Sequence, residues 1–314
     1  MSSVISINDK YDICLSMTWY PGGSHLISGH VYEIVDYYMI LSERYKVCIL
    51  FGDTFIDWIS FRDVIISKYS VSAEKLKSLE LDTIYASYPK YIKGRNILFV
   101  DGGLCRLQKQ GTALIFDNIL TFKCAYTETI SDLSYNVMIL QDDRVYRDLN
   151  PDDTKISYNY IKKINFDILK KQTPVRDRIG LLYLTKNCRG VTNEQIDDVI
   201  SQTNLDHYIL ITDDPEKYKP KDCMTIMQPP VNNLFDKFSE YIYMPLEQQW
   251  DGSPRFPAEC KYYNKGVTYH DDIDESYLQK DSGLRWRKHD IEHNFDNLHL
   301  TQEDEIFDIL RGLL

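Results

Sequence analysis

Paired cysteines are missing from this sequence. Its seven cysteines (Cys14, Cys48, Cys105, Cys124, Cys188, Cys223 and Cys260) are scattered and no two stand in a CxxC spacing, so neither a disulfide framework nor a zinc site is signalled. Several lie within apolar runs and read as small core residues of a reducing compartment. Long hydrophobic runs are missing too. No apolar stretch approaches the roughly 20 residues that span a bilayer, and the N-terminus has no signal-peptide core. A soluble, cytoplasmic chain with no membrane partner is expected. Positive charge is in deficit: 36 Lys and Arg against 47 Asp and Glu leave a net charge of -11, which argues against a generally basic nucleic-acid coat but leaves room for a local basic groove. There is no internal repeat, no low-complexity tract, and no dinucleotide fingerprint GxGxxG. No metal and no resident cofactor is implied.

What is present is a long alternation of apolar runs and amphipathic stretches. At 314 residues the chain is long enough for two domains. Residues 11–19 (YDICLSMTW) read as a buried strand, PGGS as a turn, and Val31, Ile34, Val35, Tyr38, Met39 and Leu41 recur at helical spacing from Gly29 onwards. A second apolar strand, KVCILF at 46–51, follows. This is the strand, helix, strand unit of a parallel sheet. Further strands are expected at 96–100, 113–116 and 137–140. The pattern breaks at Asn150-Pro151-Asp152-Asp153 and a lysine-rich segment runs to Pro174. A second series then begins: strand 178–185, loop 186–190, amphipathic helix 193–202, strands 207–212 and 223–227, helix 231–238, and strand 241–244. A helix over 254–263 has Pro at its first turn and Gly266 just past its end. The tail from Thr301 is a helix with Ile306, Phe307, Ile309 and Leu310 on one side. The expected fold class is α/β, two Rossmann-like domains in tandem with a C-terminal closing helix.

The richest stretch is EYIYMPLEQQWDGSPRFPAECKYYNKGVTYHDD, residues 240–272. A strand leads into an irregular loop, Ser253-Pro254-Arg255 opens a helix carrying Glu259, and Gly266-Val267 returns to extended chain. In open parallel sheets, ligands sit beyond the carboxyl ends of the strands, where helix N-termini aim backbone N–H groups at anions. The plain alternative is a surface helix with an ordinary exposed glutamate.

This segment resembles the nucleotide-sugar-binding segment of glycosyltransferases of the GT-B type. The resemblance implies two Rossmann-like domains facing a cleft: an acceptor domain at 1–150, a basic linker at 151–177, a donor domain at 178–285, and a tail at 286–314 that packs back on the first domain. It implies that Glu259 accepts from the donor ribose hydroxyls and that Ser253 and Arg255 lie near the donor sugar or phosphates. The sequence departs from the two-glutamate pattern of many retaining members, since position 251 is Asp, so a retaining and an inverting outcome both stay open. Lys186 and Arg189, after the first strand of the second series, are placed to stabilise the charge of a departing diphosphate. They read equally as solvated loop cations.

The turn PGGSH takes its meaning from the same resemblance. A Gly-Gly turn lets backbone approach a ligand closely and its amides can form an anion-binding concavity. In GT-B enzymes the loop after the first strand faces the cleft, which makes Gly22 and Gly23 its floor and His25 a candidate base for an acceptor hydroxyl. Asp53 and Asp101, each after a predicted strand, are rivals for that role.

The acceptor is addressed by a local reversal of charge. Between Lys155 and Arg178, the basic residues include Lys162, Lys163, Lys170 and Lys171, against only Asp167 and Asp177. With the Arg285-Trp286-Arg287-Lys288 cluster they could hold a phosphate backbone, or they form a solvated linker face. In length and in the SPRFPAEC segment the chain is similar to the bacteriophage glycosyltransferases, arabinosyltransferases among them, that decorate hydroxymethylated bases of DNA in the host cytoplasm. That resemblance implies transfer of a pentose or hexose from a UDP-sugar to 5-hydroxymethylcytosine in duplex DNA, with the base reached from a groove or flipped. A glycosyltransferase for a glycan or small molecule, and a non-catalytic nucleotide- or sugar-binding protein, are the alternatives.

Overall fold

The computed structural model describes residues 4–7, 10–16, 29–51, 58–85, 90–99, 111–123, 137–140, 156–159, 164–184, 191–229, 231–244, 255–269 and 304–312. The chain divides into two compact units. Unit 1 comprises Met1–Leu169 with Asn297–Leu314, and unit 2 is Lys170–Asp296.

Unit 1 is built on a parallel sheet of β1 (Val4–Ser6), β2 (Ile13–Ser16), β3 (Val47–Phe51), β4 (Thr83–Tyr85), β5 (Tyr91–Phe99), β6 (Ala113–Lys123), β7 (Val137–Leu140) and β8 (Ile156–Asn159). The order is β4-β3-β2-β5-β6-β7-β8, and β1 pairs with the first residues of β5. The chain steps outward from β2 in one direction, then returns to its other side with β5. That reversal is the doubly wound pattern. Cys14, Cys48, Ile97 and their neighbours form one face of the core. The α1 helix (Gly29–Leu41) connects β2 to β3, and Glu33 through Leu41 are all buried, as befits a helix apolar on nearly every side. One of its acids, Asp36, accepts the phenol of Tyr69 at 3.0 Å.

Several elements go beyond the sequence pattern. β5 begins at Tyr91 rather than Asn96 because Gly94, in a run that looks like a turn (KGR), is a strand residue covered by the Phe116 ring of β6. β6 runs to Lys123, past its polar Asp117-Asn118. There, Asn118 donates to the Asn96 side chain at 2.8 Å and Asn96 donates to the Asp12 carbonyl at 3.0 Å, so the polar atoms are satisfied across the sheet. Between Phe51 and Tyr91 lie α2 (Trp58–Lys68), α3 (Ala73–Leu81) and β4. Ser72 caps α3 through its side chain, accepting from Lys75 N–H. Residues 156–159, within the expected linker, form β8.

Unit 2 carries a five-stranded parallel sheet of β9 (Ile179–Leu184), β10 (His207–Thr212), β11 (Met224–Met227), β12 (Glu240–Tyr243) and β13 (Gly266–Tyr269), in the order β11-β10-β9-β12-β13. The α4 helix (Asn193–Thr203) follows β9. A Thr192–Gln195 capping box starts it and left-handed Asn204 ends it. Leu182, Ile196, Val199 and Tyr208 pack on that face. The opposite face holds Leu181, Ile211, Phe235, Phe238 and Cys260. The expected helix over 231–238 is instead a single 3₁₀ turn, Leu234–Asp236. Asn233 is left-handed (φ 52°) and blocks a longer helix, and a tight turn suffices to bury Phe235 and Phe238, three residues apart.

The α5 helix (Arg255–Tyr262) joins β12 to β13, and α6 (Asp304–Arg311) closes unit 1. Asn264 (φ 55°), not Gly266, terminates α5. Lys265 N–H reaches the Cys260 carbonyl and Asn264 N–H the Lys261 carbonyl, the paired bonds of a left-handed C-terminal cap. Gly266 is already the first residue of β13, against the Glu240 side chain.

Candidate functional site

In unit 2 the strand order reverses between β9 and β12. The chain leaves β9 toward β10 and leaves β12 toward β13. Such a switch point, outside the carboxyl ends of the strands, is the place where open α/β sheets take ligands. The segment after β9 carries Lys186 and Arg189, and the segment after β12 carries Ser253. These three lie outside the described residues, as do Gly22, Gly23, His25, Asp53, Asp101, Lys162 and Lys163. In unit 1 the corresponding reversal falls between β2 and β5. By chain order Gly22, Gly23 and His25 follow β2, Asp53 follows β3, and Asp101 follows β5.

Four of the expected site residues are described. Arg255 opens α5 and Glu259 lies one turn further on. Their side chains are 7% and 0% exposed, and the Arg255 Nε–H donates to Glu259 Oε1 at 2.5 Å. The surface helix with a solvated glutamate is thus not what forms; the acid is inside and paired. Burying either charge alone would be costly, and the pairing offsets that cost. Lys170 and Lys171 start unit 2 outside any helix or strand. Lys171 is exposed, and the Lys170 carbonyl accepts the Tyr263 phenol at 2.8 Å.

α5 is held firmly for so short a helix. Phe256 stacks on Tyr183 of β9 (5.4 Å between ring centroids) and on Phe235 (5.1 Å), and meets Tyr241 edge-on at 4.9 Å. Pro257, Ala258 and Cys260 are buried beside it. Tyr263 returns its backbone N–H to the Glu259 carbonyl and its ring to Phe235. Burial raises the Tyr263 phenol well above its ordinary range. Lys265, just past the cap, donates to the Phe238 carbonyl at 2.9 Å, and burial lowers its pKa. Of these anchors, only the i,i+4 spacing of Arg255 and Glu259 was a signal in the sequence. The aromatic clamp joins β9, β12, the 3₁₀ turn and α5, and has no local signature.

Among the described residues no group of three or more His, Cys, Asp or Glu is placed to hold a metal ion, and no helix is long and apolar enough to cross a membrane.

No family model and no curated protein sequence matches this chain. Its structure is similar to that of a glycosyltransferase from Rickettsia africae ESF-5, with a TM-score of 0.51 at 12% identity, over 97% of this chain and 99% of that one. Weaker similarities are to the apo form of the lipopolysaccharide outer core galactosyltransferase WaaB (TM-score 0.42, 10% identity, 94% and 98% of the chains) and to Acinetobacter baumannii MurG (TM-score 0.39, 13% identity, 96% and 99%). The first match, spanning nearly the whole of both chains, establishes the fold: two Rossmann-like units in one chain, as in the GT-B type.

Proposed function

We propose that this chain is a glycosyltransferase that moves a sugar from a UDP-sugar to an acceptor hydroxyl, with 5-hydroxymethylcytosine in duplex DNA as the acceptor. The observation that carries the reading is the reversal of strand order between β9 and β12. In chain order Lys186 and Arg189 follow β9, and Ser253 follows β12 just before Arg255 opens α5. Cations following one strand of such a switch point and opening the helix after the other suit a nucleoside diphosphate.

The reaction balances simply. A base takes the proton of the acceptor hydroxyl as its oxygen bonds to the anomeric carbon, and the bond from that carbon to the diphosphate breaks, releasing UDP. Lys186, Arg189 and Arg255 compensate the charge that accumulates on the diphosphate. His25 is the proposed base, with Asp53 and Asp101 as its rivals, and Gly22 and Gly23 give close backbone approach. Lys162, Lys163, Lys170 and Lys171 are the proposed phosphate contacts on DNA.

One assay tests this. Release of UDP from UDP-sugars is measured with hydroxymethylcytosine-containing duplex DNA, with unmodified DNA, and with simple glycans. Turnover confined to the modified duplex is the expected result. Equal turnover with a glycan removes the DNA acceptor and keeps sugar transfer, whereas UDP binding without any turnover favours a non-catalytic binding protein.

A further inference from the structure

Asn165 is a buried amide with nothing to bond. It is 8% exposed, and its side chain has no hydrogen-bond partner among the described residues. A buried polar group left in that state costs free energy, so such groups are few in native folds. Asn165 lines a cavity of about 100 Å³ in unit 1, together with Met39, Ile40, Glu43, Lys75, Asp167 and Ile168. Met39 and Ile40 are buried, whereas Glu43, Lys75 and Asp167 are exposed and form its rim. Among the described residues no ion pair joins the Lys75 ammonium to either rim carboxylate. The two helices at the cavity divide the charge in the same sense. Glu43 follows the last residue of α1, at the negative end of that helix, and Lys75 lies in the first turn of α3, at its positive end.

We propose that this cavity binds a small zwitterion of the amino-acid class. Its ammonium lies against Glu43, Asp167 and the carbonyl end of α1, its carboxylate lies toward Lys75 and the amide end of α3, and the Asn165 side chain bonds it from within. An amide supplies both donors and an acceptor, so it serves either charged group. Water would satisfy Asn165, since the space is that of roughly three molecules, but water does not call for unlike charges set unpaired around one space. A divalent cation suits the site less, because it takes about six or more oxygen ligands and the Lys75 ammonium repels it. The apolar side of the cavity, Met39, Ile40 and Ile168, accepts a short aliphatic side chain and no charge. The proposal goes beyond sugar transfer and does not rest on it, since none of these residues belongs to the proposed donor or acceptor groups.

The test is calorimetry on the full chain with four probes, each titrated through the millimolar range: L-alanine as the zwitterion, ethylamine and propionate as its two halves, and calcium chloride. L-Alanine should bind at one site. Ethylamine and propionate should bind about tenfold more weakly or worse, the scale of a lost charge-assisted hydrogen bond. Lys75→Met and Glu43→Gln, both at exposed positions, should each weaken L-alanine by about the same factor. Asn165→Leu fills the cavity and should abolish binding while its unfolding in urea stays at or above that of the parent, because the orphaned amide is gone. Should that variant fail to fold, the two rim variants decide the question. Either half binding as tightly as L-alanine, or L-alanine binding that ignores Lys75→Met, overturns the zwitterion. Binding of Ca²⁺ alone overturns it in favour of a metal site. No binding of any of the four probes leaves the cavity to water and overturns the proposal outright.

Discussion

Asp82 is held by two phenols, one on each carboxylate oxygen: Tyr11 donates at 2.9 Å and Tyr38 at 2.8 Å. The pair ties the approach to β2 and the middle of α1 to the end of α3. Burial first, and then the Asp82 carboxylate, pushes the Tyr38 phenol well above its ordinary range. Its neutral form is favoured more in the folded chain than in the unfolded one. The stability this contributes is complete below the unfolded pKa of about 10 and is lost as pH rises through the folded value. Tyr263 acts in the same sense, whereas Lys265, with its pKa lowered, acts in the opposite one. We predict that stability to urea falls between pH 9.5 and 11, taking the unfolded phenol at about 10 as the start of the decline. Tyr38→Phe should cost about 0.5–1.5 kcal/mol at pH 7 and make that decline shallower. A variant with the alkaline slope of the parent would assign the slope to other groups.

The residue scale also shows why the candidate site was legible in part. Arg255 and Glu259 stand at helical spacing in a segment that ends in a terminator, and that spacing alone marks a pair. Whether such a pair faces water or the core depends on Phe256 and Cys260 lying against β9, β12 and the 3₁₀ turn, all distant in sequence. The residue types were readable; the direction they face was not.

Among elements, β5 and β6 show how a strand can be hidden. Gly94 interrupts the apolar alternation, and a Cβ placed there would overlap the Phe116 ring. Gly94→Ala should therefore cost about 1–3 kcal/mol by overpacking, measured by chemical denaturation. Combining it with Phe116→Ala should recover part of that loss, since the two positions share one space. Additive effects would mean that the ring does not lie on the glycine. The 3₁₀ turn at 234–236 is the converse case. Val231, Leu234, Phe235 and Phe238 have helical spacing, but Asn233 in the left-handed region prevents the run from closing into helical turns. By contrast α4 matches its sequence signals closely, because capping box, apolar stripe and left-handed asparagine all agree.

On the scale of the whole molecule, unit 2 is continuous in sequence and unit 1 is not. Unit 1 recruits α6 from the far end of the chain. Ile306, Phe307, Ile309 and Leu310 of α6 are buried, and the Phe307 ring lies 6.1 Å from that of Tyr45, with the Arg44 guanidinium 3.9 Å from its centroid. Four buried side chains at about 1.5–3 kcal/mol each make removal of α6 a loss of about 6 kcal/mol or more for unit 1. A chain stopped after Glu303 should show that loss by calorimetry. The fragment Lys170–Asp296 should melt as one cooperative transition, because its five strands and both faces of its core are its own.

The sequence by itself determined the fold class. Alternation of short apolar runs with amphipathic stretches requires sheets with helices on their faces, and the connections between them are too long for hairpins. It also determined helix ends wherever a cap is local, as at Thr192. Tertiary structure decided the strand order, and hence where the reversals at β2–β5 and β9–β12 fall, because parallel neighbours are not neighbours along the chain. It decided that Gly94 is a strand residue, since only the ring of an adjacent strand fills the space the glycine leaves. It decided, too, that Glu259 is enclosed with Arg255, because burial is the sum of surfaces brought from four separate parts of the chain, which no local window contains.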